Sequence, residues 1–170
     1  EMFSQSFLAH GYSPLPEYVE PLMGHVARPD LVDRFPLVLT SAKSPRYLQS
    51  QMRGVAKLRR VEPDPRIEIH PETAEARGIA DGDWMVLSTP HGRTRGRAHY
   101  SRHLDPRVIS ATHGWWQACE ALSQPSYDPA SEVGANLNAV IGNDACDPVT
   151  GSVPLKSYLC QVEALTVRPA

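Results

Sequence analysis

The sequence predicts a mainly β protein with short helices, closed into a small barrel. Short strand-forming runs recur along the chain, proline is abundant at 16 of 170 residues, and few stretches have helical periodicity. Proline lacks a backbone donor and disrupts helix interiors, so this count disfavours a helical bundle and favours strands joined by turns. Many short strands with little helix cover their edges most simply by closing on themselves.

The strands read in order. Leu37-Val38-Leu39-Thr40 is a buried-type run, and Arg66-Ile67-Glu68-Ile69 alternates polar with apolar. Trp84 to Thr89 is followed by the hairpin-like turn Pro90-His91-Gly92, leading into Arg93 to Tyr100. Val108 to Thr112 and Tyr158 to Val162 complete the set. Helix is expected at Thr73–Arg77, with further candidates at Gln49–Lys57 and Gln117–Leu122. The unit around Thr73 is the best punctuated. Pro71 suits a first helical turn, where a missing N–H costs nothing, and Gly78 can take the left-handed conformation that ends a helix. Asp81-Gly82-Asp83 then turns the chain into the next strand.

Residues 1–34 differ from the rest. Met2 to Ala9 reads as a short helix stopped by Gly11, and Pro14, Pro16, Pro21 and Pro29 break any later periodicity. This stretch is expected to be an extended strap from a preceding domain, with the barrel occupying 35–168.

Composition excludes several classes. With 17 basic and 19 acidic residues the chain lacks the charge of a dedicated nucleic-acid binder. No run approaches the roughly 20 apolar residues of a membrane span, so no direct membrane insertion is expected. Cys119, Cys146 and Cys160 have no Cys-x-x-Cys spacing, so no metal or iron–sulfur cluster is expected within this segment. His99 and His103 have helical metal spacing but fall on a strand and turn, where side chains need not converge.

Four segments could carry chemistry. After the first strand, Thr40 and Ser41 bring hydroxyls beside Lys43 and Arg46, a combination suited to phosphate. Between Ser41 and Arg60 stand six basic residues and no acid, a positive run that fits an anion seat or a solvated basic face alike. Thr112-His113-Gly114-Trp115-Trp116 spends two tryptophans and a glycine beside a histidine, which otherwise reads as a satisfied structural residue. Asn138, in Gly134-Ala135-Asn136-Leu137-Asn138, offers both donor and acceptor to the edge of a purine or pterin ring. Lys156 closes the loop Asp147 to Lys156 before the last strand.

Taken in order, these segments resemble the C-terminal dinucleotide-binding domain of molybdopterin oxidoreductases, the dimethyl sulfoxide reductase superfamily. They are most similar to its acetylene hydratase-like and formate dehydrogenase-like members. The resemblance rests on Ile69 to Leu87, on Thr40 to Arg53, on His113-Gly114-Trp115-Trp116, on Asn138 and on the loop to Lys156. It implies a double-psi β-barrel, the six-stranded closed barrel of aspartate decarboxylase-like proteins. It also implies a bis(molybdopterin guanine dinucleotide) cofactor with molybdenum or tungsten, contacted by Thr40, Ser41, Lys43, Arg46, Tyr47, Ser50, Gln51, His113, Asn138 and Lys156. The sequence departs from the family in places. Lys43 stands where an arginine is frequent, exchanging a bidentate fork for a point charge. Val140 and Ile141 fill the last two places of an Asn-x-Leu-Thr pattern, so a threonine hydroxyl is lost. No catalytic residue is expected here. The metal ligand and any iron–sulfur cluster would lie in the remaining domains of a parent polypeptide, and the segment alone is expected to be inactive. The alternatives are a stand-alone dinucleotide-binding subunit or chaperone, and a barrel used for protein interaction. Compartment stays open.

Overall fold

The computed structural model describes residues 3–15, 17–131, 134–144, 146–147 and 149–165. Met2, Pro16, Pro148 and the expected end of the barrel at 166–168 lie outside them. Six strands form one closed barrel: β1 (Leu37–Ala42), β2 (Arg66–Ile69), β3 (Trp84–Thr89), β4 (Gly92–Tyr100), β5 (Val108–Thr112) and β6 (Tyr158–Ala164). Around the barrel the order is β1-β5-β2-β4-β3-β6, and β6 pairs back onto β1. Pairs β1–β5 and β2–β4 are parallel, and the other four are antiparallel. Exchanging β1, β2, β3 for β4, β5, β6 reproduces every neighbour and every direction. The barrel is therefore two interleaved three-strand halves, the double-psi arrangement.

Alternation places the core. Met85, Leu87 and Thr89 of β3 are buried while Trp84, Val86 and Ser88 are half-exposed, and β2 buries Ile67 and Ile69 in the same way. These side chains meet Leu37, Leu39, Ile109, Tyr158, Cys160 and Val162 in one apolar interior. Burial in that interior pushes the Cys160 thiol far above its ordinary pKa, so it packs as a small apolar group. Cys119 is buried too, whereas Cys146 is exposed, and none of the three is in a disulfide.

Among the described residues there are three short α-helices: α1 (Gln5–Ala9), α2 (Ala56–Val61) and α3 (Pro71–Glu75). The punctuation around α3 acts as its residue types dictate. His70 Nδ1 accepts the Glu72 N–H at 3.3 Å, Pro71 occupies the first turn, and Gly78 at φ +64° ends the unit. Asp81 and Asp83 are spent on the following turn, accepting the N–H groups of Tyr100 and Ala80. Ser4 caps α1, and Gly11 at φ +77° stops it. Beyond it, Met23 is buried in the barrel core and its carbonyl accepts the Leu159 N–H, so the stretch before β1 is laid against β6.

Two expected helices are absent, for one reason. At Gln49–Lys57 the chain takes left-handed turns at Gln49 (φ +54°) and Met52 (φ +70°), and helix begins only at Ala56. A helix would give the Gln49 carbonyl to the Arg53 N–H. Instead that carbonyl takes the Arg53 guanidinium, and the Arg53 N–H goes to the Gln117 side chain. Gln117 is committed on both sides, its carbonyl accepting from Arg59, and Gln117–Leu122 keeps only the single 3-10 turn Glu120–Leu122.

Candidate functional site

Parallel pairing of β1 with β5, with Ala42 opposite Thr112, releases both strands at the same end of the barrel. The polar loop after β1 and the His113-Gly114 turn after β5 therefore start as neighbours. Two more segments complete the surround: the 3-10 turn Leu137–Val140, anchored in the core by Leu137 and Val140, and the residues just before β6. Between them lies a cleft of about 970 Å³.

The lining has a distinct chemical character. Lys43 and Lys156 bring cations, His113, Gln49, Asn136 and Asn138 bring hydrogen-bonding groups, and Trp116, Leu137, Ile141 and Leu155 bring apolar faces. No carboxylate is among its described lining residues. Two smaller cavities differ. The one of about 530 Å³ against residues 7–22 carries Glu17, Glu20 and Asp147, and the one of about 450 Å³ near β2 carries Glu62, Asp64 and Asp81. Only the large cleft offers an anion a site without like-charge repulsion among the three.

Within the cleft His113 Nε2 lies 3.2 Å from the Gln49 amide oxygen. An oxygen accepts, so Nε2 carries the proton and Nδ1 is left as an acceptor. Burial lowers the His113 pKa, and Arg53 and Lys43 lower it further, so the ring stays neutral near pH 7. Gly114, at φ +80°, lets the two loops close on each other: a Cβ there would stand 2.5 Å from Ser50 Cα. Asn136 is committed to structure, its side-chain oxygen accepting the Asn138 N–H and its amide donating to the Pro129 carbonyl. Asn138 is exposed, at the cleft wall.

Residues 37–159 match the family model described as the molydopterin dinucleotide binding domain. The chain belongs to that family. Acetylene hydratase of Syntrophotalea acetylenica is 33% identical over 176 residues, covering 94% of this chain and 23% of that protein. Dopamine dehydroxylase of Eggerthella lenta is 30% identical, covering 89% of this chain and 14% of that protein. In structure, acetylene hydratase from Pelobacter acetylenicus superposes with a TM-score of 0.79 at 27% identity, over 96% of this chain and 23% of that one. The dinucleotide-binding domain described here thus spans less than a quarter of these relatives.

Of the residues singled out in the sequence of this domain, the fold brings Ser41, Lys43, Ser50, His113, Asn138 and Lys156 together around the cleft. Four stand elsewhere. Thr40 sits one position back on β1, opposite Ser110. Arg46 is exposed on the loop, its N–H held by the Ser44 hydroxyl, and is not part of the lining. Gln51 is exposed outside the lining, and Gln49 takes the place expected for it. Tyr47 is buried, its hydroxyl donating to the Glu62 carbonyl at 2.7 Å and its ring edge-on to Trp115.

The positive run from Ser41 to Arg60 also divides. Arg46, Lys57 and Arg60 face solvent, and Lys43 reaches the cleft. Arg53 and Arg59 are fully buried, their guanidinium carbons 4.9 and 4.7 Å from the centre of the Trp115 ring. Composition offered no means to separate interior guanidiniums from a solvated face. Gln49 is not among the contacts expected from the sequence, although it adjoins Ser50, and Gly114 and Trp116 enter that reading only as part of the His113 segment. Asn136 had a usable signal: asparagine two residues before an exposed N–H is a capping pattern.

Proposed function

We propose that this chain is the part of a molybdenum- or tungsten-dependent oxidoreductase that holds a bis(molybdopterin guanine dinucleotide) cofactor, and that the acid-free cleft is where it does so. One observation carries the reading. A cleft with two lysines, amide and imidazole groups, apolar faces and no described carboxylate fits a ligand that is anionic at its phosphates and a flat hydrogen-bonding heterocycle elsewhere. Lys43 and Lys156 would meet phosphate as point charges. Asn138 would pair with a ring edge through donor and acceptor, and neutral His113 would accept there through Nδ1. Trp116, Leu137 and Ile141 would shield the ring faces from water.

When bound, the metal and its pterins supply the redox or hydration chemistry. The contribution of this chain is to bind, orient and exclude water. A metal-ligating side chain and any iron–sulfur cluster belong to other domains of the parent polypeptide, and the isolated segment has no turnover of its own. The family membership and the length of the relatives, about four to six times that of this chain, support this reading.

The test is metal analysis of the native polypeptide containing this segment, purified without oxygen, with intact mass from the same preparation. About one molybdenum or tungsten atom in a much longer chain is the expected result. A metal-free chain of this size would overturn it and leave a binding subunit or interaction module.

A further inference from the structure

Arg53 is 1% exposed, and among the described residues no carboxylate forms an ion pair with it. Burying a guanidinium without a counter-ion is costly, and such a group persists only where hydrogen bonds and aromatic faces replace its water. Here they do. Nη1 donates to the carbonyls of Gln49 and Gln51 at 3.0 and 3.2 Å, and Nη2 to the carbonyl of His113 at 2.7 Å. The guanidinium carbon stands 4.0 Å from the centre of the Tyr47 ring. The bonded carbonyls come from two loops some sixty residues apart in sequence, and the Gln49 and His113 side chains are hydrogen-bonded to each other at the cleft wall. The loop to Arg53 also holds two non-glycine residues in left-handed conformations, which persist only where surrounding contacts over-determine them.

We infer that Arg53 is the positioning residue of the cleft, a buried fork that fixes the Gln49–Gln51 loop and the His113 turn relative to one another. Lysine cannot replace it, because one ammonium cannot span three carbonyls in the plane of a fork. Arg53 touches no ligand in this role. It sets the spacing of the groups that do, and its bearing on the ligand rests on the cofactor reading above.

The experiment is hydrogen exchange on the full-length polypeptide carrying Arg53→Lys. Peptides covering 48–53 and 113–117 are expected to exchange about tenfold faster, both together, as one charge-assisted network is lost. Peptides of β3 and β6 keep wild-type exchange. Tyr47→Phe, which removes only the hydroxyl, leaves both loops protected. Unchanged loops in Arg53→Lys, loosening of 48–53 alone, or equal loosening in Tyr47→Phe would each overturn the inference. Should Arg53→Lys fail to fold, wild-type protein with nitrogen-15 arginine decides: an Arg53 guanidinium with resolved, slowly exchanging Nη protons supports the fork, and averaged signals refute it. Metal retained per chain separates this inference from the cofactor reading. Loosened loops with lower metal support both, whereas loosened loops with unchanged metal support the role of Arg53 and count against the cleft as the cofactor seat.

Discussion

Replacing Gly114 by alanine tests the close approach on which the cleft depends. Two costs add. At φ +80° an L-residue is strained by about 1–2 kcal/mol. The new Cβ would also stand 2.5 Å from Ser50 Cα and 2.7 Å from Ser50 Cβ. Carbon atoms rest about 3.5–4.0 Å apart, so the loops must separate by about 1 Å. Overpacking of this kind costs about 1–3 kcal/mol, for a total of about 2–5 kcal/mol. At about 2–4 °C per kcal/mol for a domain of this size, its unfolding transition should fall by about 4–20 °C. Gly78→Ala is the matched control: its φ is +64° and nothing lies within 4 Å of its Cβ. It should lose only the conformational part, about 1–2 kcal/mol. Calorimetry of the full-length polypeptide, with metal retention measured on the same samples, reads both. A Gly114→Ala protein no less stable than Gly78→Ala, with full metal content, would refute the contact between the two loops.

Three further outcomes are expected. Trp115→Ala removes a ring that is 1% exposed and packed against two guanidiniums, and should cost about 3–5 kcal/mol in urea unfolding. Trp116→Ala, at a half-exposed position, should leave stability nearly unchanged while lowering cofactor retention, and equal destabilisation by both would contradict this packing. His113 has a lowered pKa, so the folded state binds protons less readily than the unfolded one. Its contribution is fully present above about pH 6.5 and is lost as pH falls toward its folded value, so wild type should lose more stability than His113→Gln between about pH 7.5 and about pH 5. Lys43→Gln and Lys156→Gln should each weaken guanosine diphosphate binding severalfold, with the deficit shrinking in high salt, and a salt-independent deficit would show that charge is not their contribution.

The strands were legible because period-two burial is a local property: Ile67 and Ile69, or Met85 and Leu87, declare their face within a few residues. The helix at Pro71–Glu75 was legible because proline, glycine and the aspartate turn act on their own backbone. Closure followed from many short strands with little helix, whereas the double-psi arrangement came with the family resemblance, since alternation does not say which strands pair. The four segments singled out in the sequence meet at one cleft, but not every residue chosen within them lines it. Gln51 and Gln49 flank the same serine, and only the left-handed turn at Gln49 decides which one meets His113.

The sequence by itself determined the strands, the punctuated helix and the segments that could meet an anion, because each depends on interactions a few residues long. Tertiary structure decided which charges are in solvent and which are inside. Arg46 and Arg53 are the same residue type in the same run, yet one is exposed and the other lies buried against Tyr47 and Trp115. Its partners at His113 and Gln117 stand some sixty residues away in the chain. A guanidinium's environment is set by what the fold packs around it, and no local pattern encodes contacts made across a barrel.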